Sequence, residues 1–443
     1  TSKAPEAAEP TALTDWLHGY LQQLSGKDPK RPLTFGDLDG VTLDEGKAIK
    51  GINLQMMTTA LSMGRPYSLP FDSEQFYFRR SELELFFPGD VVAWMAANPG
   101  PRSAASAGRD EAMAGFGFLP FPGRATLPVL VAVRMSLSFP ILLAGIPLYR
   151  YAWEMAATEG PDADEPANGT AATSDTPGFA RTARDKRARF VRSSVQRVLF
   201  SDGGLCSNFP VQMFDSVLPG WPTFGINLRD DLRRATDSEA RAHLPDRGKA
   251  LPPEHYGIGE TGFEAVLSFA TAIVKTMQNW RDNLQRAAPG FRDRIVTVRH
   301  TTNEGGLNLD MPARTIEAMA ASGTLAAAEL IDAFAQPPTI GEDHFTYHRW
   351  VRIRSLLNVL QNVLREIHDG VTVLDNHPPY PELVRDAPAY VGESYRLSRL
   401  GRDAAARLLD GLDRLDHELE EAQLDYSRTA PRPEVELRIQ PVI

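Results

Sequence analysis

Apolar residues recur every three to four positions in five stretches of this 443-residue chain. This spacing places them on one face of a helix. The stretches are residues 13–24, 263–284, 312–334, 351–367 and 397–419. Gly26 follows the first stretch and is a typical helix end. The last two stripes are interpreted as core or helix-pair seams rather than membrane anchors.

Shorter apolar runs between these helices predict strands, because branched and aromatic residues suit a pleated surface. The runs are residues 51–60, 127–133, 146–151, 198–200, 222–228 and 294–299. Residues 90–94 fit a short helix or a strand, and residues 98–123 a loop. Strands and helices alternate from about 50 to 335, which predicts an α/β fold with a helical C-terminal extension.

Two domains are expected from this pattern. Residues 1–335 form the predicted α/β domain, and residues 336–443 the helical C-terminal region. A low-complexity segment at 159–177 predicts a flexible insertion of about 155–185.

Charge and composition exclude some functions. The net charge of −10 opposes general nucleic-acid binding through a basic field. The basic residues at 181–197 are interpreted as a solvated flank, with a patch for anionic headgroups as the alternative. Cys206 stands alone, so no intrachain disulfide forms, and no cysteine cluster or H-E-x-x-H motif indicates a metal or cofactor. No run reaches the ~18 apolar residues of a membrane span, and we expect a cytoplasmic protein, with membrane association left open.

The candidate catalytic group is Asp202, which ends the apolar run 198–200 and precedes Gly203 and Gly204. The carboxyl ends of strands in open α/β sheets commonly bind ligands, and glycines allow close approach of a ligand. A carboxylate there is a candidate catalytic base. The alternative is an ordinary turn, because Asp and Gly both tolerate turn geometry.

The segment Ser201-Asp202-Gly203-Gly204-Leu205-Cys206-Ser207-Asn208-Phe209-Pro210 resembles the patatin-like phospholipase family. Further similarity to its bacterial members lies in MSLSFP at 135–140, TFGINL at 223–228 and GGLNL at 305–309. The resemblance spans roughly residues 13 to 335. It implies a patatin-like sheet flanked by helices and hydrolysis of lipid acyl esters by a Ser–Asp dyad.

The resemblance assigns Asp202 as the dyad aspartate and Gly203 and Gly204 to the active-site loop. Residues 135–140 are candidates for the acyl pocket, against the alternative of simple core packing. The candidates named from that segment are Met135, Ser136, Ser138 and Phe139.

The chain departs from the family at the nucleophile. Family members carry a Gly-rich oxyanion loop and G-x-S-x-G, and neither occurs in these 443 residues. The nearest string is AASAG at 104–108, centred on Ser106. We therefore expect the C-terminal part of a longer protein, nearly inactive alone, whose missing segment lies upstream or on another chain.

The function expected on this basis is a lipid acyl hydrolase, a phospholipase or esterase, to which this chain supplies the aspartate. Its substrate would be a phospholipid or another acyl-ester lipid, with peripheral membrane contact left open. One alternative is a catalytically inactive patatin-like scaffold that binds lipid or protein. Another is an unrelated hydrolase that uses Ser106.

Overall fold

The computed structural model describes residues 12–151 and 195–433, apart from the positions given next. These positions are 29, 40, 43–47, 50, 141, 231–240, 247–256, 260, 302, 306–307, 309, 336–342, 373–378 and 386–397. The chain forms two compact units, Thr1–Asn208 and Phe209–Val442. The units divide at a different place from the predicted domains, whose boundary at 335/336 stays a prediction.

The first unit alternates short helices and strands. In chain order these are α1 Leu13–Ser25, α2 Phe35–Leu38, β1 Val41–Thr42, β2 Ala48–Ile49, β3 Met56–Ala60, β4 Arg65–Leu69, β5 Tyr77–Phe78, α3 Arg80–Leu83, α4 Gly89–Ala97, α5 Ala107–Ala114, β6 Leu119–Pro120, α6 Val129–Ser136, β7 Ile146–Tyr151 and β8 Val195–Asp202. Helix α1 ends at Gly26, whose φ of 62° is the left-handed cap that glycine favours.

Six strands of this unit form one sheet in the order β4-β3-β8-β7-β5-β6. Every pairing in it is antiparallel, and β1 and β2 form a separate antiparallel pair. Strand β8 lies between β3, which pairs with residues 200–202, and β7, which pairs with residues 195–200. In the register with β3, Thr58 lies opposite Asp202 and Thr59 opposite Ser201.

A large apolar core, with a smaller cluster around Tyr77 and Met113, holds the first unit together. Strand β8 contributes Val198 and Phe200, and helix α6 contributes most of its length. Phe200 is fully buried and its ring lies 5.2 to 5.9 Å from the rings of three other aromatic residues. Those residues are Tyr67, Phe71 and Phe76.

Helix α6 corrects the sequence prediction of a strand at 127–133. Val129 through Ala132 are all buried, as are Arg134 and Met135. A helix buried on every face has the same continuous apolar pattern as a buried strand, so the pattern alone does not separate them. The predicted loop at 98–123 was also wrong in part, because it contains α5 and β6.

The second unit is mostly helical. Its elements are β9 Gly225–Arg229, β10 Ala242–His243, α7 Gly262–Ala287, β11 Ile295–Arg299, α8 Ala313–Phe334, α9 His344–Thr372, α10 Tyr380–Arg385 and α11 Arg399–Glu421. The strands form a sheet in the order β10-β11-β9, with β11 parallel to β9 and antiparallel to β10. Val296 and Val298 of β11 pack against Ala326 of α8.

The described residues therefore form a mixed α/β protein, as predicted at that level. Strands at 146–151, 198–200, 222–228 and 294–299 are confirmed within a residue or a few at each end. The five predicted helices are also confirmed, and the one predicted at 351–367 is longer, at His344–Thr372. Residues 90–94 lie in helix α4. The predicted insertion and most of the basic stretch 181–197 lie outside the described residues.

Candidate functional site

Asp202 is the last residue of β8, and a 3-10 turn of residues Gly203–Leu205 follows it. Its Oδ1 accepts a hydrogen bond from the Gly204 N–H at 2.5 Å. Its Oδ2 has no hydrogen-bond or ion-pair partner in the described part of the chain. The side chain is half-buried. One carboxylate oxygen is thus anchored, and the other is available to a hydroxyl.

The two glycines are required by close packing rather than by backbone angles. A Cβ on Gly203 would lie 2.4 Å from the Met57 carbonyl oxygen. A Cβ on Gly204 would lie 2.4 Å from Asn208 Oδ1 and 2.9 Å from Asp202 Oδ1. A larger residue at either position would force the turn away from β3 or displace the carboxylate. The close contacts at Gly203 and Gly204 are with the protein itself, and the interpretation of these glycines as a place where a ligand approaches stays a prediction.

The backbone of Asp202 is held by the segment that follows α6. The Ser138 carbonyl accepts hydrogen bonds from Asp202 N at 3.1 Å and from Ser201 Oγ at 2.7 Å. From the adjacent strand, Thr58 Oγ1 donates to the Ser201 carbonyl at 2.7 Å. The structure thus brings the predicted segment 135–140 beside Asp202 through main-chain contacts.

Arg134 braces this arrangement, and sequence reasoning did not assign it to the site. Its Nη1 donates to Ser138 Oγ at 2.6 Å and its Nη2 to the Ala144 carbonyl at 3.0 Å. It is buried, and no carboxylate pairs with it among the described residues. Burial lowers the pKa of the guanidinium. The sequence signal was a cation that interrupts an apolar run, which is uncommon unless it serves a specific contact.

The candidate pocket residues differ in environment. Met135 belongs to the core of the first unit, and Ser138 is fully buried. Ser136 and Phe139 are half-buried. Packing explains Met135 without a pocket, and the assignment of these four residues to an acyl pocket stays a prediction.

Ser106 lies in a separate, closed network. It is fully buried, and its Oγ lies 2.9 Å from the Ser103 carbonyl and 3.0 Å from Asp110 Oδ2. Asp110 also accepts from Arg102 Nε at 3.0 Å and from the Tyr77 hydroxyl at 2.7 Å. Burial acts to raise the pKa of Asp110, but these hydrogen bonds outweigh it and lower the pKa. A hydroxyl sealed in such a network cannot meet an ester, so the structure gives the Ser106 hypothesis no support.

No group of three or more His, Cys, Asp or Glu residues in the described ranges is arranged to hold a metal ion. None of the helices built from those ranges has the length and apolar character needed to cross a bilayer.

The fold and this turn define a mixed α/β protein with an aspartate presented at the end of a central strand. No family model matches the chain, and no solved structure matches it. It is similar to the RpoH suppressor of Rhizobium meliloti (strain 1021), with 38% identity over 97% of this chain and 67% of the relative. The chain belongs to the family of that RpoH suppressor.

Proposed function

We propose that this chain supplies the aspartate of a Ser–Asp dyad in a patatin-like lipid acyl hydrolase. The observation that carries the proposal is that only one carboxylate oxygen of Asp202 is hydrogen-bonded within the described structure. Gly204 N–H fixes Oδ1, whereas Oδ2 is unpartnered in the described structure. The resemblance of residues 201–210 to the patatin-like family supports the same role.

In this proposal the serine comes from a segment outside the 443 residues. Oδ2 of Asp202 would accept the serine proton while the serine oxygen attacks the acyl carbonyl. The ester C–O bond would then break, and the leaving alcohol would take the proton from Asp202. Water activated by the same carboxylate would release the fatty acid and restore the serine.

The rigid support of Asp202 suits this role. The Ser138 carbonyl fixes the backbone N–H of Asp202, and Arg134 fixes Ser138. A base that transfers a proton has to be held within hydrogen-bond reach of its partner. Arg134 is therefore assigned as a positioning residue.

The test is Asp202→Asn in the protein expressed from its full reading frame, assayed with a p-nitrophenyl ester and a fluorogenic phospholipid. We expect a loss on the order of 10³-fold or more in turnover, because asparagine does not accept the proton. The matched control is Asp72→Asn, which changes an exposed acid of the same unit. Near-normal turnover by Asp202→Asn, with folding verified by circular dichroism, would reject the assignment.

The second candidate is a catalytically inactive patatin-like scaffold that binds lipid or protein. The large exposed apolar side chains of the second unit favour it, because such surfaces mark interaction sites. Under this alternative neither the wild type nor Asp202→Asn turns over ester, and a fluorophosphonate probe labels neither protein.

A further inference from the structure

Helix α7 exposes its apolar side to solvent, whereas a helix that packs on a core buries that side. Its large apolar side chains are 45% to 80% exposed. They are Phe263, Val266, Leu267, Phe269, Ile273, Val274, Met277, Trp280 and Leu284. Its polar side is directed inward, since Asp282 is buried and accepts from Phe209 N at 3.0 Å. The apolar side of α7 is therefore free to contact another molecule.

The spacing of the exposed stripe indicates what covers it. Apolar residues recur alternately at three and four positions from the first turn to the last. The series is Phe263, Val266, Ala270, Ile273, Met277, Trp280 and Leu284. On a straight helix, a seven-residue apolar repeat shifts around the helix axis by about 20° per repeat. Two helices that supercoil around each other keep such a repeat in contact along their whole length. A straight stripe of period 3.6 would instead reach Arg281 and Gln285, which are polar.

The positions that flank the stripe are compatible with a second copy of the same helix. In a helix pair, charges at these positions select or repel partners. Here they are Leu267, Phe269, Val274, Thr276, Arg281 and Asn283, with a single charge among them. No like charges meet when two copies pair, whichever way the helices run.

The exposed area is sufficient for a stable pair. Nine large apolar side chains at these exposures present on the order of 1,000 Å² per copy. A standard interface takes about 800 Å² from each partner. A helix of 26 residues is about 39 Å long, which allows more than three repeats of contact.

A membrane surface fits the helix less well. Helices that lie on membranes carry Lys and Arg along the polar face that points to water. In α7 the polar face points into its own unit, and the chain as a whole carries a charge of −10, which anionic lipids repel. We infer that α7 pairs with α7 of a second copy of this chain through the stripe Phe263–Leu284.

Light scattering after gel filtration of the 443-residue chain tests this pairing. We expect a mass of twice 48.8 kDa at ~100 µM, falling toward the monomer on dilution. Met277→Glu should reduce the mass to that of the monomer. Thr271→Glu, which adds the same charge at an exposed position off the stripe, should leave the dimer intact.

Cross-linking then locates the interface. Cys206 is the only cysteine, so Cys206→Ser provides a background without reactive thiols. In that background Met277→Cys should join two copies through a bismaleimide linker, and Thr271→Cys should not. A monomeric wild type, or a dimer that Met277→Glu leaves unchanged, would overturn the inference. So would a monomer that floats with phosphatidylcholine–phosphatidylglycerol vesicles in a manner that depends on Met277, because the stripe would then serve a membrane.

Discussion

The two units of this protein distribute their apolar side chains in opposite ways. In the first, helices α4 and α6 and the central strands meet in one large buried core. In the second, the buried apolar groups form small clusters, such as Val296, Val298 and Ala326. Most of the exposed large apolar residues lie in the second unit, with Trp221 81% and Phe263 80% exposed.

Among the described residues, buried side-chain atoms without a hydrogen-bond partner are more frequent in the second unit than in the first. The second unit buries atoms that lack hydrogen-bond partners in the described structure, including Asp293 Oδ1, His348 Nδ1 and Asp416 Oδ2. It also buries an ionic cluster in which Asp215 pairs with Arg294 at 2.8 Å and with Arg352 at 3.0 Å. Buried ion pairs contribute little net stability, because desolvation offsets their attraction.

The comparison indicates how each unit is stabilised. In the first unit, the apolar area is buried within the unit, and this burial stabilises it. The second unit leaves large apolar area in water, and such patches are typical of interaction surfaces. We infer that the stability of the second unit depends on association more than that of the first.

The sharpest test of this contrast compares a buried aromatic residue with an exposed one. Phe200→Ala removes a fully buried ring from the first core and should lower the free energy of unfolding by about 3–5 kcal/mol. Trp221→Ala, in the second unit, should change it by less than about 0.5 kcal/mol. Urea denaturation followed by circular dichroism measures both. Equal losses would remove the distinction between the units.

Acid should destabilise the second unit through His348. Burial, followed by the charges of Arg294 and Arg352, lowers the pKa of His348 from 6.5 to about 4. Between these values the unfolded chain binds a proton that the folded chain does not, so stability is lost as pH falls from 6.5 to about 4. The loss reaches at most about 3 kcal/mol, and nothing is contributed above pH 6.5.

The pH dependence is measured by denaturation of the wild type and of His348→Leu from pH 4 to 7. The variant should lose most of this slope, whatever its absolute stability. The control is His417→Leu, which replaces an exposed histidine of the same unit and should keep the slope. A slope unchanged in His348→Leu would show that other groups carry the acid sensitivity.

The sequence predicted the elements of the molecule better than their surroundings. Periodic stripes located α1, α7, α8, α9 and α11, because helical spacing is a local property. The stripe of α7 did not reveal that it faces solvent, since periodicity defines a face but not what lies against it. The local sequence pattern also did not predict which strands pair with β8, because the paired strands lie far apart in the chain.

The candidate site shows the same limit. Asp202, Gly203 and Gly204 were predicted from a strand followed by an acid and two glycines. The support from Ser138 and Arg134 was not, because it joins residues more than 60 positions apart. The confusion of α6 with a strand also hid that Arg134, in the last turn of this helix, reaches Ser138 just beyond its end.

Substitution of Gly203 tests whether the candidate site belongs to the rigid part of the first unit. Gly203→Ala would place a Cβ 2.4 Å from the Met57 carbonyl oxygen. We expect a loss of about 1–3 kcal/mol, because backbone has to move on both sides of the contact. Gly89 is the first residue of helix α4, and a Cβ there would meet no other atom within 4 Å. Gly89→Ala should therefore be neutral or stabilising by up to about 1 kcal/mol. Thermal unfolding separates the two, and a neutral Gly203→Ala would mean that the turn yields easily.

The smallest expected effect distinguishes two adjacent threonines beside Asp202. Thr58 Oγ1 donates to the Ser201 carbonyl at 2.7 Å, whereas the buried Thr59 Oγ1 has no partner in the described structure. Thr58→Val should cost about 1 kcal/mol, because a buried carbonyl loses a donor. Thr59→Val should be neutral or slightly stabilising, because it removes a buried hydroxyl that makes no hydrogen bond. Chemical denaturation of both variants under one condition gives the comparison. A loss in Thr59→Val as large as in Thr58→Val would mean that the Thr59 hydroxyl has a hydrogen-bond partner in solution.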